Sequence, residues 1–209
     1  MQQMFKEGVF NMQYGRVHCL SCNLKCEILP LKEFRSTQCL NTKICVWPAV
    51  NFLFKDGLEF LINSVDVVFR DSGFIFIDFS WKNIRIFINE GWIDYLEGTE
   101  MKIVLLSDKK MMPLAAWYVR SEPRILEVIF IQQKVKELKA SLQKVFVGLP
   151  LQKQAVRALK KAEKEVLYLT LNNFSVAEIS VEMNLDKKIV YNLRQRIESK
   201  MGMKIRRFI

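Results

Sequence analysis

Residues 159–202 read LKKAEKEVLYLTLNNFSVAEISVEMNLDKKIVYNLRQRIESKMG, a string that fits three helices and two tight joints. The first helix is expected from Lys160 to Leu171 with Val166, Leu167 and Leu171 turned inward, and Asn172 or Asn173 supplies the left-handed residue that ends it. Ser175 then caps a second helix, and Glu178 three residues on completes a capping box. That helix is short and ends near Met183. Asn184 and Leu185 make the second joint, and Asp186 caps a third helix. There Val190, Leu193 and Ile197 form a stripe at i, i+3 and i+7 that must be buried.

The stripe fixes what the third helix shows to solvent. Lys188, Tyr191, Asn192 and Gln195 fall on an opposite or flanking face, with Lys187, Arg194 and Arg196 around them. Amide and phenol groups at the centre of such a face reach base edges in a major groove, while lysine and arginine at its margin meet phosphates. A capped two-helix turn with a short first element is the supersecondary frame that presents a helix in this way.

The distribution of charge points to the same partner. The chain has 209 residues, 32 Lys and Arg against 22 Asp and Glu, and a formal net charge of +10. From Lys134 to Ile209 there are 17 basic and 7 acidic residues, whereas residues 1–133 hold 15 of each. The entire surplus lies in the last third. Double-stranded DNA, whose phosphates neutralise such a domain, is the expected partner, ahead of an anionic membrane surface or a merely solvated basic face.

On these residues the segment resembles the LuxR-type (NarL/FixJ) helix-turn-helix of bacterial transcription factors. The family's opening pattern stands here as Leu159, Glu163 and Glu165-Val166-Leu167, its Ser and Glu-Ile as Ser175, Glu178 and Ile179, and its last helix as Val190, Ile197, Lys200 and Gly202. Departures are Asn173 for the usual Gly, Ile189 for Thr and Leu193 for His. The resemblance implies base-reading positions at Tyr191, Asn192 and Gln195 and backbone contacts at Lys188, Arg194 and Lys200. It also implies a homodimer, or a heterodimer with another LuxR-type response regulator.

Upstream, apolar residues from Phe52 to Ile62 recur at helical spacing with Lys55, Asp56 and Glu59 opposite. Short apolar bursts follow at Val65–Phe69, Gly73–Phe79, Lys102–Ser107 and Glu127–Ile131, each of strand length and apolar on both faces. Helix-length stretches alternate with them at Lys82–Tyr95, Met111–Arg120 and Gln133–Val147. The alternation predicts a parallel sheet covered by helices on each side, so the fold class is α/β plus all-α. The expected division is a Cys-bearing arm with little regular structure over 1–45, an α/β domain over 46–147, a linker over 148–158 and the helix-turn-helix domain over 159–209.

The α/β segment resembles, in element order, the receiver domain of response regulators. Asp78 matches the phosphoacceptor, Ser107 the switch hydroxyl and Lys134 the lysine, but the acidic pair that would hold magnesium appears as Ala49 and Val50. A phosphoryl group would lack a metal, which makes the segment a pseudo-receiver and Asp78 a strand-end carboxylate. VWPAVNFLFKDG (46–57) and DKKMMPLAAWYV (108–119) are similar to segments of a divergent enterobacterial branch that regulates capsule and fimbrial operons, including Vi capsule and common-pilus regulators. That implies a regulator of surface or virulence genes, paired with a partner such as the DNA-binding subunit of the Rcs system.

Other classes are disfavoured by composition. A single histidine, His18, and eight glycines that form neither a phosphate-cradling loop nor a dinucleotide fingerprint leave little for catalysis, and no enzyme, cofactor or resident metal is expected. No apolar run has the length of a membrane span and the first residues lack the order of a secretory signal, so the expected location is the cytoplasm and no membrane partner is expected. Five cysteines are then expected as free thiols. Cys19, Cys22 and Cys26, followed by Cys39 and Cys45, could supply thiolates to zinc or an iron-sulfur cluster, but unliganded thiols fit the spacing better; a redox-sensing arm is a variant. Two function classes stand: a sequence-specific DNA-binding regulator, and an interaction protein that modulates another regulator without touching DNA.

Overall fold

The computed structural model describes residues 16–22, 24, 26–28, 30, 43–65, 73–152 and 156–205. Its centre is the apolar burst FIFIDF, which forms strand β4 (Phe74–Phe79) with all six residues buried. A strand apolar on both faces needs cover on both, and its neighbours are parallel: β3 (Ile44–Trp47) on one side and β5 (Lys102–Ser107) on the other, with β6 (Ile125–Phe130) beyond β5. The β5–β6 pairing carries a register irregularity at Ile103/Val104. The expected α/β fold with a parallel sheet is what forms.

The arm expected over 1–45 with little regular structure is corrected where its residues are described. It carries β1 (Val17–Cys19), antiparallel to β3, and β2 (Glu27–Ile28), antiparallel to β1, so that the described strands make one sheet of order β2-β1-β3-β4-β5-β6. Strands of two and three residues are too short to show a period of two, which is why the pattern was silent there. The strand expected over Val65–Phe69 lies, apart from Val65, outside the described residues.

Helices cover both faces. On one, α1 (Phe52–Asn63) and α5 (Val135–Phe146) bury Leu58, Ile62, Leu142, Val145 and Phe146 against Val46, Phe76, Val104 and Leu106. Asn51 caps α1 by accepting the Phe54 N–H at 3.2 Å. The apolar period of α1 is only partly used, since Phe52, Leu53 and Phe60 remain 63%, 80% and 67% exposed. On the other face lie a 3-10 turn (Trp81–Asn83), α2 (Ile84–Phe87), α3 (Gly91–Glu97) and α4 (Met112–Ser121). The single helix expected over Lys82–Tyr95 is therefore broken. At the break the Asn89 side chain accepts the Gly91 N–H at 3.1 Å, and the buried Tyr118 hydroxyl donates to the carbonyls of Phe87 and Asn89 at 2.6 and 2.8 Å. Those carbonyls are satisfied from outside the helix, so the ladder can stop. The rings of Trp47, Phe79, Phe87, Trp92 and Tyr118 pack around this point, with Phe79 and Phe87 stacked at 4.4 Å and Trp92 edge-on to Tyr118 at 5.3 Å.

The C-terminal helices are α6 (Lys161–Leu171), α7 (Val176–Glu182) and α8 (Lys187–Met201). They dock against α4: the Leu159 N–H donates to the Pro113 carbonyl at 2.9 Å. The Lys164 ammonium lies 4.1 Å from the centre of the Trp117 ring and 2.6 Å from a Glu90 carboxylate oxygen. Arg85 donates to the Leu171 carbonyl at 3.4 Å. One apolar core runs from Trp92 and Tyr118 through Leu114 into Val166, Leu167, Ile179, Val190 and Ile197.

Candidate nucleic-acid interface

Each joint of the C-terminal string uses the residue chemistry its backbone requires. Asn173 takes φ 66° and Asn184 φ 50°, left-handed conformations in which asparagine is the least strained residue after glycine. Ser175 accepts the Glu178 N–H at 3.2 Å while the Glu178 carboxylate accepts the Ser175 N–H at 2.7 Å, closing the capping box. These bonds, the Ser175 side chain first, hold the Glu178 carboxyl below its ordinary range. Asp186 caps α8 through the Lys188 N–H at 2.6 Å, and Gly202 at φ 63° ends it.

With both ends fixed, α8 buries Val190, Leu193, Ile197 and Met201, and its rotation is set. At 3.6 residues per turn, Lys188, Asn192, Gln195 and Ser199 stand opposite that stripe, and all four are exposed. Tyr191 is 57% exposed on the adjoining flank. Lys187 and Arg196 are exposed at the margins, and Arg194 is half-buried on the inner flank. Lys188, Asn192, Gln195, Tyr191, Lys187 and Arg196 thus share one accessible surface of amides, a phenol and cations.

Lys200 is turned away from it. Its ammonium donates to the Glu163 carboxylate at 2.6 Å and to the Ala158 carbonyl at 2.9 Å, and Glu163 is only 1% exposed. The same Glu163 accepts the Lys160 N–H at 2.7 Å, so Lys200 locks α8 to the start of α6. Ser199, not among the sequence candidates, shares the exposed face, and carrying the spacing of Lys188, Asn192 and Gln195 one step further reaches it. Lys109 and Arg157 were not candidates from the sequence either. Only the fold brings them beside Arg196 in a cleft of about 670 Å³ between α4, the end of β6 and α8.

The receiver-like positions are also placed. Asp78 is 1% exposed, with one carboxylate oxygen accepting from Asn51 at 3.4 Å. Burial raises its pKa above the ordinary 3.8, against hydrogen bonds from Ser80, Asn51 and Asn83 that act the other way. Ser107 is fully buried and donates to the Asp108 carbonyl at 3.1 Å. Lys134 is exposed at the start of α5, and Val50 is 80% exposed where an acidic residue would face a metal. No helix among the described residues is long and apolar enough to cross a membrane.

The profile of the EcpR N-terminal domain matches residues 18–146. This chain belongs to the EcpR N-terminal domain family. The match begins inside β1 and ends at the last residue of α5, so the domain that defines the family is the sheet with its two helical layers. Another relative of this EcpR-domain chain is the uncharacterized protein YqeH of Escherichia coli strain K12, 31% identical over 193 residues, which cover 92% of each chain. Among solved structures it is similar to RcsB of Salmonella typhimurium, with 15% identity, a TM-score of 0.35, and 73% and 89% of the two chains covered. For RcsB in complex with DNA the values are 16%, 0.38, 73% and 79%. For FixJ from B. japonicum they are 14%, 0.34, 79% and 93%. At TM-scores of this size the likenesses carry nothing further about the EcpR-domain chain.

Proposed function

We propose that this protein is a DNA-binding transcriptional regulator whose sheet domain, ending near residue 147, is joined by residues 148–158 to a helix-turn-helix domain that docks in the major groove of double-stranded DNA. The observation that carries the reading is the rotation of α8, which buries Val190, Leu193, Ile197 and Met201 and leaves Lys188, Asn192 and Gln195 exposed opposite them. In this reading Tyr191, Asn192 and Gln195 read base edges, and Lys187, Lys188, Arg194 and Arg196 hold phosphates. Lys200 is left out of the set because its ammonium is committed to Glu163. Regulation proceeds without phosphorylation of Asp78, since that carboxylate is closed to solvent and Ala49 and Val50 offer no metal ligand. The regulated genes, by the resemblance to capsule and common-pilus regulators, are those of surface structures.

The test is occupancy across the genome of the tagged protein beside a Tyr191→Ala, Asn192→Ala double variant, with and without partner regulators. Discrete peaks lost in the variant support direct recognition, and their dependence on a partner marks a heterodimer. In binding assays, Lys188→Ala should weaken all sequences alike and lower the salt slope by about one. A second reading, modulation of another regulator through protein contact, is favoured by the exposed Phe52, Leu53 and Phe60 of α1. It predicts that regulation survives the double variant.

A further inference from the structure

The antiparallel edge of the sheet sets three cysteines in a row. Cys19 on β1 is the register partner of Cys45 on β3. On its other side the pairing of Val17 with Ile28 and His18 with Glu27 runs on to Cys26, whose carbonyl accepts the Cys19 N–H at 2.8 Å. Because the Leu20 N–H bonds to the Ile44 carbonyl at 2.9 Å, Cys19 and Cys45 form a non-hydrogen-bonded pair, the kind with Cα atoms about 4.5 Å apart; Cys19 and Cys26 form the other kind, at about 5.5 Å. Both spacings are ones that a disulfide spans. None of Cys19, Cys22, Cys26 and Cys45 is in a disulfide, and the row runs from solvent to core: Cys26 is exposed, while Cys19 and Cys45 are 4% and 0% exposed.

The sulfurs are not equivalent. Cys19 Sγ accepts the Ser21 N–H at 3.5 Å. The Cys45 thiol is pushed up, first by its hydrogen bond to Cys19, then by burial and by charge on Cys19, so it keeps its proton and donates it toward Cys19. Cys19 is therefore the first of the buried pair to attack; once it is bound to Cys26 its hydrogen bond and its charge no longer act on Cys45, and burial alone remains.

We propose that Cys26, Cys19 and Cys45 form a thiol relay that converts a peroxide met at the sheet edge into a disulfide in the core. The Cys26 thiolate attacks a peroxide oxygen, giving a sulfenic acid and hydroxide, which is protonated to water. Cys19 attacks that sulfur, forming the Cys19–Cys26 disulfide and releasing the sulfenic oxygen as a second water. Cys45 then attacks Cys19, and Cys26 leaves as a thiolate that takes up the Cys45 proton. Two thiols lose two electrons in total, and one hydrogen peroxide becomes two waters. Exchange runs by attack of one sulfur on a second while a third leaves, and successive register partners across three strands set the three cysteines in one row.

The test uses the full chain, reduced, exposed to limiting hydrogen peroxide, alkylated and digested with trypsin without reduction. Cys26, Cys39 and Cys45 fall in the separate peptides 26–32, 36–43 and 44–55, while Cys19 shares 17–25 with Cys22, so the parent for this experiment is Cys22→Ser. Peptide 17–25 should link first to 26–32 and later to 44–55. Cys26→Ser in that background, an exposed and isosteric change whose fold is checked by thermal melting, should slow the 17–25 to 44–55 link by about tenfold or more. The relay is overturned if the Cys26→Ser protein forms that link at the parent's rate, if 17–25 links to 36–43 instead, or if Cys26 is oxidised without ever linking to 17–25.

Discussion

Asp78 is a carboxylate that the fold has taken out of water, and the cost shows in its titration. Burial raises its pKa, so between the ordinary 3.8 and the raised value the folded state binds more protons than the unfolded chain. Stability is greatest with Asp78 protonated and declines as pH climbs through that interval. Asp78→Asn, which removes the charge and keeps the shape, should raise the melting temperature at neutral pH and flatten the profile below it; thermal unfolding across a pH series reads both. A parent and variant with parallel profiles would mean that Asp78 is solvated. Lys200 carries the opposite lesson. Lys200→Ala leaves Glu163, 1% exposed, without its cation and should cost about 3–5 kcal/mol in chemical denaturation. In the proposed DNA-binding reading, a defect in that variant reports folding, whereas one in Lys188→Ala reports contact.

Elements differ in how openly the sequence declares them. The three C-terminal helices were legible to within a residue or two because each has a cap and a stripe: Ser175 and Glu178 start α7, Asp186 starts α8, and Asn173, Asn184 and Gly202 take the left-handed turns. Ser175→Ala should destabilise the protein by about 1 kcal/mol, measured by denaturant unfolding, and an unchanged midpoint would show that the box is idle. The rotation of α8, and with it the exposed face, followed from Val190, Leu193 and Ile197 alone. Other elements depend on partners distant in sequence. β1 and β2 are strands because β3 offers them an edge, and the break between α2 and α3 exists because Tyr118, some thirty residues on, takes the carbonyls of Phe87 and Asn89. Lys200 belongs to the same group: its spacing fits a phosphate contact, and only the position of Glu163 on α6 turns it inward.

Across the whole molecule, the sheet domain and the basic helices share an apolar core that passes through Leu114 and Tyr118 into Val166 and Leu167. Contiguous cores unfold together, so calorimetry of the intact chain should show a single transition. Lys164→Ala removes both the contact with Trp117 and the ion pair with Glu90. It should cost about 1–2 kcal/mol and separate the transition into two; one unaltered transition would show that the apolar contact alone couples the halves. That junction has an optical side as well. Trp47 and Trp92 are sealed in the core and Trp81 sits under Lys110 beside the sheet, whereas the Trp117 indole carries the Lys164 ammonium of α6 on its face. Any event that lifts the C-terminal helices off α4 uncovers that indole, so the colour of the protein's own tryptophan emission tracks the docked and undocked populations without an added label.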